Sequence, residues 1–193
     1  MNQRLVIETS WGRVGVEASD NAIVRFHLPD SVPEDFASVR EPSALLFEAE
    51  RQIAEYFSGI REAFDLPLEP AGSDFMQSVW QRLVLIPFGA LQTYGDVANA
   101  LGSPGASRAV GKACGSNPIP LLIPCHRVVG SKNKLTGFSS SGGVEMKRRL
   151  IEHEMGGLFA IRRKSKLPNN QSAPTLKIGT YGGTHRVQTD SNK

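Results

Sequence analysis

The chain has 193 residues, 40% of them hydrophobic and 21% charged, the proportions of an ordinary globular protein able to bury a core. No apolar run approaches the ~18 residues of a membrane span. The N-terminal Met1-Asn2-Gln3-Arg4 leads into an alternating pattern, not the apolar stretch of a secretory signal, so an intracellular, reducing location is expected. With only Cys114 and Cys125, a disulfide framework and a cysteine-rich zinc site are both excluded. The formal charge of +3 is unevenly placed: from Leu158 onward seven Lys/Arg face Asp190 alone, which leaves the preceding residues at −3. The basicity sits in the tail, so DNA binding has to be argued from local motifs.

Residues 3–28 read as a strand meander, with Leu5 and Ile7, Val14 and Val16, then Ile23, Val24 and Phe26 in short β-rich runs broken at Ser10-Trp11-Gly12 and Ser19-Asp20-Asn21. A polar loop from Pro29 to Pro42 follows. Ser43 is a helix N-cap and Gly59 a stop, with Leu46, Ala49, Ile53 and Tyr56/Phe57 at helical spacing. Asp65–Gly72, with Pro67 and Pro70, reads as a linker and places a domain boundary near residue 72. A helix opens at Ser73 with an apolar side of Phe75, Val79, Trp80, Leu83 and Val84, closed by Pro87-Phe88-Gly89. Two short helices come next, Thr93–Leu101 stopped by Gly102 and Ser103–Gly115 with Ser103 as N-cap and Pro104 at the first helical position. Pro118, Pro120 and Pro124 stiffen an extended segment that delivers the chain into a short strand, Cys125-His126-Arg127-Val128-Val129. A loop, Gly130–Gly143, precedes a last helix, Val144–Glu154, stopped by Gly156-Gly157. Residues 158–193, polar and with little apolar periodicity, read as a largely disordered basic tail.

Two constellations carry chemistry. Cys125 ends an apolar, stiffened run with His126 beside it; an imidazole can take a thiol proton, and a carboxylate such as Glu152 or Glu154 can orient that imidazole. Taken alone, Pro-Cys-His fits a packed thiol as well as a nucleophile. The paired short helices have helix-turn-helix proportions, and the second carries Ser107, Arg108 and Lys112 among small residues that permit close approach to a groove. An αα-hairpin used only for packing fits that pattern too.

In order along the chain, Phe75-Met76-Gln77-Ser78-Val79-Trp80, Ile86-Pro87-Phe88-Gly89, Thr93-Tyr94-Gly95-Asp96-Val97-Ala98, Ser107-Arg108-Ala109-Val110-Gly111, Asn117-Pro-Ile-Pro-Leu-Leu-Ile-Pro-Cys125-His-Arg-Val-Val-Gly130 and Leu135-Thr136-Gly137-Phe138 together resemble the O6-alkylguanine-DNA alkyltransferases (methylated-DNA–protein-cysteine methyltransferases). The match is strong over about 73–157 and loose over 1–72. It implies direct reversal of DNA damage: irreversible, single-turnover transfer of an alkyl group from O6-alkylguanine, and by extension O4-alkylthymine, to Cys125, without a cofactor or metal. Cys125 resembles the acceptor, His126 the base reached through a water, Glu154 its orienting carboxylate, Tyr94 the proton donor to the leaving guanine and Asn117 the hinge. Arg108 resembles the side chain that enters the stack when the base flips, with Ser107 and Lys112 on the same DNA-facing helix. Val128, Phe138 and Lys147 would lie around the base.

The implied fold is an α/β N-terminal domain (1–72), a small antiparallel sheet plus helix of ribonuclease-H-like kind. A mostly α C-terminal domain (73–157) with a winged-helix-like helix-turn-helix follows, then the tail (158–193). The partner is double-stranded DNA containing O6-alkylguanine; no membrane is involved, and a monomer is expected, cytoplasmic and nucleoid-associated in a bacterium or nuclear in a eukaryote. Departures from the pattern are the longer Ser139-Ser140-Ser141 stretch before Gly142-Gly143, and Phe138 where some members carry Tyr. Two other functions compete, a DNA-binding regulator and a turning-over cysteine hydrolase. Against the second, no oxyanion-hole motif is apparent, and neighbours on a strand point to opposite faces, which would keep His126 from Cys125. His27 and His153 read as structural and surface residues, Trp11 and Trp80 as core, and Cys114 as packed within its helix.

Overall fold

A computed structural model describes residues 2–138 and 142–161. Strands β1 (Gln3–Thr9), β2 (Gly12–Ala18) and β3 (Ile23–His27) form one antiparallel sheet in that order, with a bulge at Glu17/Ala18. Alternation puts Leu5 and Ile7 of β1 and Val14 and Val16 of β2 into the core, Ile23 and Phe26 of β3 are buried as well, and helix α1 (Ala44–Phe57) adds Leu46, Ala49, Ile53 and Tyr56. Ser43 caps α1 by accepting from the Leu46 amide, and Gly59 leaves the helix at φ 75°. The 29–42 loop is not purely solvated: its Phe36 is buried and packs edge-on to His27.

The 65–72 segment is tied to the sheet. Ile23 donates to the Pro67 carbonyl and Glu69 donates back to Ile23, a parallel bridge on the open edge of β3. Helix α2 (Asp74–Val84) follows, capped by Ser73, with Val79, Trp80 and Leu83 buried. Phe75, placed by its spacing on the apolar side, is instead 36% exposed, because it sits in the first turn, before α2 reaches the core. The Trp80 indole donates to the Ala113 carbonyl at 2.9 Å in a fully buried contact.

A two-residue strand β4 (Gln92–Thr93) leads into α3 (Tyr94–Ala100), where Thr93 and Asp96 form a reciprocal capping box. The next helix, α4 (Ser107–Gly115), begins four residues later than Ser103: Gly102 and Gly105 take positive φ, and residues 103–106 close as a turn rather than a first helical turn. The 117–124 segment also differs from expectation. Prolines do not hold it extended; Leu121 has φ 77° and the Ile123 amide bonds back to Ile119, since the Asn117 side chain captures the Ile119 amide and starts a turn.

Cys125–Arg127 is a 3-10 turn, and only β5 (Val128–Val129) is strand, parallel to β4. The last helix, α5 (Gly143–Ile161), runs through Gly156 and Gly157. Glycine inside a helix costs only about 1 kcal/mol against alanine, and Met146, Leu150 and Ile151 hold the preceding turns in the core. The buried cluster is continuous from Leu5 to Leu150. The expected tail beyond 161 and the Ser139–Ser141 stretch lie outside the described residues.

Gly72 lies against the Trp80 ring: a β-carbon there would come within 2.5 Å of it, and Trp80 is fixed by its bond to Ala113. Gly72→Ala should therefore destabilise the protein by about 2 kcal/mol, read as a lower urea midpoint at unchanged m-value.

Candidate active site

The turn at 117–127 is what concentrates the chemistry. Every residue from Ile119 to Val129 is buried, and Asn117 reaches across it: its side-chain amide donates to the Ile123 carbonyl at 2.8 Å and to the Cys125 Sγ at 3.3 Å. Cys125 is 5% exposed. Burial pushes its thiol pKa up, and the Asn117 hydrogen bond and the Lys147 charge oppose that rise.

His126 is fully buried. Its Nε2 lies 2.7 Å from Glu154 Oε1, while Nδ1 is buried with no partner among the described residues. Burial lowers the imidazole pKa, and the Glu154 contact works the other way. Because the 3-10 turn replaces the expected strand, the alternation that would have set Cys125 and His126 on opposite faces does not apply.

Glu154 gathers donors from four residues on three separate segments. Oε1 accepts from Tyr56 Oη at 2.8 Å, from His126, and from Arg127 Nη2 at 2.9 Å. Oε2 accepts from the Gly89 amide at 3.0 Å and Arg127 Nε at 2.9 Å. Arg127 also donates through Nη1 to the Ile86 carbonyl at 2.6 Å. Burial alone would raise the carboxyl pKa, but the His126 and Arg127 hydrogen bonds and charges hold it well below the usual range. An ionised carboxylate can only accept, so Nε2 must carry the imidazole proton and Nδ1 the free lone pair.

A second group of polar atoms meets at Tyr94. Its hydroxyl lies 3.1 Å from the Thr136 carbonyl, and Lys147 Nζ lies 3.4 Å from that hydroxyl and 2.9 Å from the same carbonyl. Burial, with the two cysteines adding to it, pushes the phenol to about 12, so it is protonated at neutral pH. Lys147 is itself buried, which lowers its pKa while Cys125 and Cys114 raise it. Cys114 belongs to this electrostatic neighbourhood; its thiol is pushed up chiefly by burial.

Of the other residues singled out by sequence, Val128 is buried in β5 and Phe138 packs partly buried against the core. On α4, Arg108 and Lys112 are exposed and Ser107 is half-buried. His153 is no surface histidine: its Nε2 lies 2.7 Å from the Tyr56 carbonyl and its ring meets Trp11 edge-on. Trp11 is only half-buried and lies under the Arg149 guanidinium at 3.9 Å. His27 bonds Glu17 at 3.1 Å, as a structural residue does. Sequence reasoning missed Tyr56, Arg127 and the Gly89 amide. Arg127 stood beside the motif, but Tyr56 had no sequence signal beyond its place on an apolar stripe. A concavity of about 1000 Å³ lies elsewhere, between β3, residues 68–72 and α2, and none of these site residues lines it.

The profile of the 6-O-methylguanine DNA methyltransferase DNA-binding domain matches residues 74–156. A methylated-DNA–protein-cysteine methyltransferase of Methanosarcina barkeri is 50% identical over 111 residues, 58% of this chain and 69% of that protein. The constitutive methylated-DNA–protein-cysteine methyltransferase of Bacillus subtilis is 39% identical over 162 residues, 80% of this chain and 96% of that protein. The crystal structure of Mycobacterium tuberculosis OGT in complex with DNA superposes with a TM-score of 0.71 at 36% identity, covering 80% of this chain and 93% of that one. Sequence agrees over 96% of the Bacillus subtilis protein and fold over 93% of the Mycobacterium tuberculosis one, and the chain belongs to the methylated-DNA–protein-cysteine methyltransferase family.

Proposed function

We propose that this chain repairs DNA by direct reversal, taking the alkyl group of O6-alkylguanine in duplex DNA onto Cys125 once and irreversibly. The observation that carries the residue roles is the state of His126: Nε2 is committed to Glu154, and Nδ1, buried without a partner among the described residues, is the lone pair left to accept a proton. The Cys125 thiol proton passes to Nδ1 through a water, and the thiolate displaces guanine at the alkyl carbon. An S–C bond forms, the C–O6 bond breaks, and the electron pair leaves with guanine. Tyr94, protonated at neutral pH, donates a proton to the leaving base, and the ammonium of Lys147 beside its hydroxyl steadies the charge left on the phenolate. The product is a thioether. Nothing in the site cleaves an unactivated C–S bond, so the protein is consumed.

The alkyl carbon is shielded inside a duplex, so the base must be extruded. Arg108, exposed on α4 with Ser107 and Lys112, takes the vacated place in the stack. Asn117 acts as the hinge joining α4 to the acceptor turn, and Val128 and Phe138 border the base. O4-alkylthymine is a further substrate. We assign the three-stranded meander with α1 to a ribonuclease-H-like domain over 1–72, and α3–α4 with the 130–137 loop after β5 to a winged-helix-like domain over 73–157. No helix among the described residues is long and apolar enough to cross a membrane, and the protein acts as a monomer in the cytoplasm or, in a eukaryote, the nucleus.

Incubation with duplex DNA containing O6-methylguanine should leave one methyl group on the Cys125 peptide and restored guanine in the DNA, read by intact-protein and peptide mass spectrometry. Clearance of excess lesion by substoichiometric protein would contradict the reading. Arg108→Ala should slow repair of duplex DNA at least tenfold, of the order of one lost stack contact worth ~1.4 kcal/mol or more, while leaving reaction with free O6-benzylguanine near normal; equal losses on both would remove its assigned role. Glu154→Gln leaves Arg127 buried without its charge partner and should cost about 3 kcal/mol of stability as well as slowing transfer. Because the folded Glu154 pKa is depressed, the stability it contributes is present above the ordinary carboxylate range and is lost as pH falls below it; the variant should show a flatter acid limb in pH-dependent unfolding.

A further inference from the structure

The oxygen that faces His126 is shared. Glu154 Oε1 takes the His126 Nε2 proton at 2.7 Å and the Tyr56 hydroxyl at 2.8 Å, alongside Arg127. Tyr56 comes from α1, ahead of the stretch matched by the family's DNA-binding profile. Its hydroxyl position is enforced: the side chain is fully buried, with its ring against Phe57, Phe64, Phe88 and His153 at 5.2–6.1 Å between centroids. His153 further grips the Tyr56 carbonyl, so neighbouring α5 residues 153 and 154 both rest on this one tyrosine.

Arg127 already neutralises the buried carboxylate, and Gly89 and Arg127 already fix its orientation. The tyrosine hydroxyl is therefore not required to make burial of Glu154 tolerable. What it changes is the charge left on the shared oxygen, because each donor on Oε1 draws density away from the others.

We infer that Tyr56 is a positioning residue acting through Glu154: by occupying part of the oxygen that faces His126, it weakens the hold of that oxygen on the imidazole and restrains proton removal from Cys125. The inference rests on the acceptor and base roles assigned above. A protein that reacts once gains from such restraint, since every stray alkylation of a standing thiolate would consume a molecule. The other titratable groups around the relay are Arg127 on the 3-10 turn, Lys147 and His153 on α5, and Cys125 itself; of these only Arg127 shares Oε1 with the tyrosine hydroxyl, and it stays charged in either variant.

The test uses the full chain and free O6-benzylguanine, with the limiting single-turnover rate and the half-saturating concentration measured separately across the histidine and thiol titration ranges. Tyr56→Phe keeps the ring and removes the donor. It should raise the limiting rate roughly threefold, the equivalent of about half a pKa unit on the imidazole, at unchanged half-saturation. A more basic imidazole becomes protonated sooner as pH falls, so the acid limb should move to higher pH. A ring-fluorinated tyrosine at position 56, a stronger donor, should shift both quantities the opposite way. A slower Tyr56→Phe with an unmoved acid limb, no change in either quantity, or both variants moving together would overturn the inference alone. Absence of benzyl transfer to Cys125 in the unchanged protein would overturn both it and the parent reading.

Discussion

A carboxylate stripped of water costs several kcal/mol unless charge and hydrogen bonds replace what it loses. Glu154 meets that condition by drawing in Arg127, His126, Tyr56 and the Gly89 amide. These donors come from three separate pieces of chain and the carboxylate from a fourth, so satisfying one buried charge fixes α1, the 86–89 turn, the 125–127 turn and α5 against one another. The continuous core supplies the bulk of the stability; the carboxylate supplies the register in which those pieces meet.

The chemistry follows from the same constraint. Held ionised by its neighbours, Glu154 accepts and never donates, which decides the tautomer of His126 and leaves one nitrogen as base. Burial pushes the Cys125 thiol pKa up, which favours its protonated form. Tyr94 and Lys147 make a second, separate arrangement around the Thr136 carbonyl, which under the proposed function serves the leaving guanine rather than the nucleophile. The division between a proton-accepting side and a proton-donating side is what a displacement with a poor leaving group calls for.

The sheet, the α1 caps, α2 and the existence of both short helices were legible in the sequence, because alternation, Ser caps and glycine stops are local signals. Cys125, His126 and Glu154 were legible as a set only through the ordered resemblance across several segments. Three features were not legible, each for its own reason. Asn117 turns a proline-rich stretch by capturing the Ile119 amide two residues on and donating to the Cys125 sulfur, a local choice that the stiffness of the three prolines hides. Helix α5 passes two glycines because its earlier turns are anchored in the core. Tyr56 joins the site from 98 residues away, and nothing in an apolar helical stripe distinguishes a tyrosine that packs from one that also donates.

The central claim is that Glu154 sets the protonation of His126 before any DNA arrives. Nitrogen-15 NMR of the unreacted protein at neutral pH tests it most directly. The account predicts a neutral His126 ring with Nε2 carrying the proton and Nδ1 free, a pattern lost in Glu154→Gln. A ring protonated on Nδ1, or already an imidazolium at rest, would contradict it.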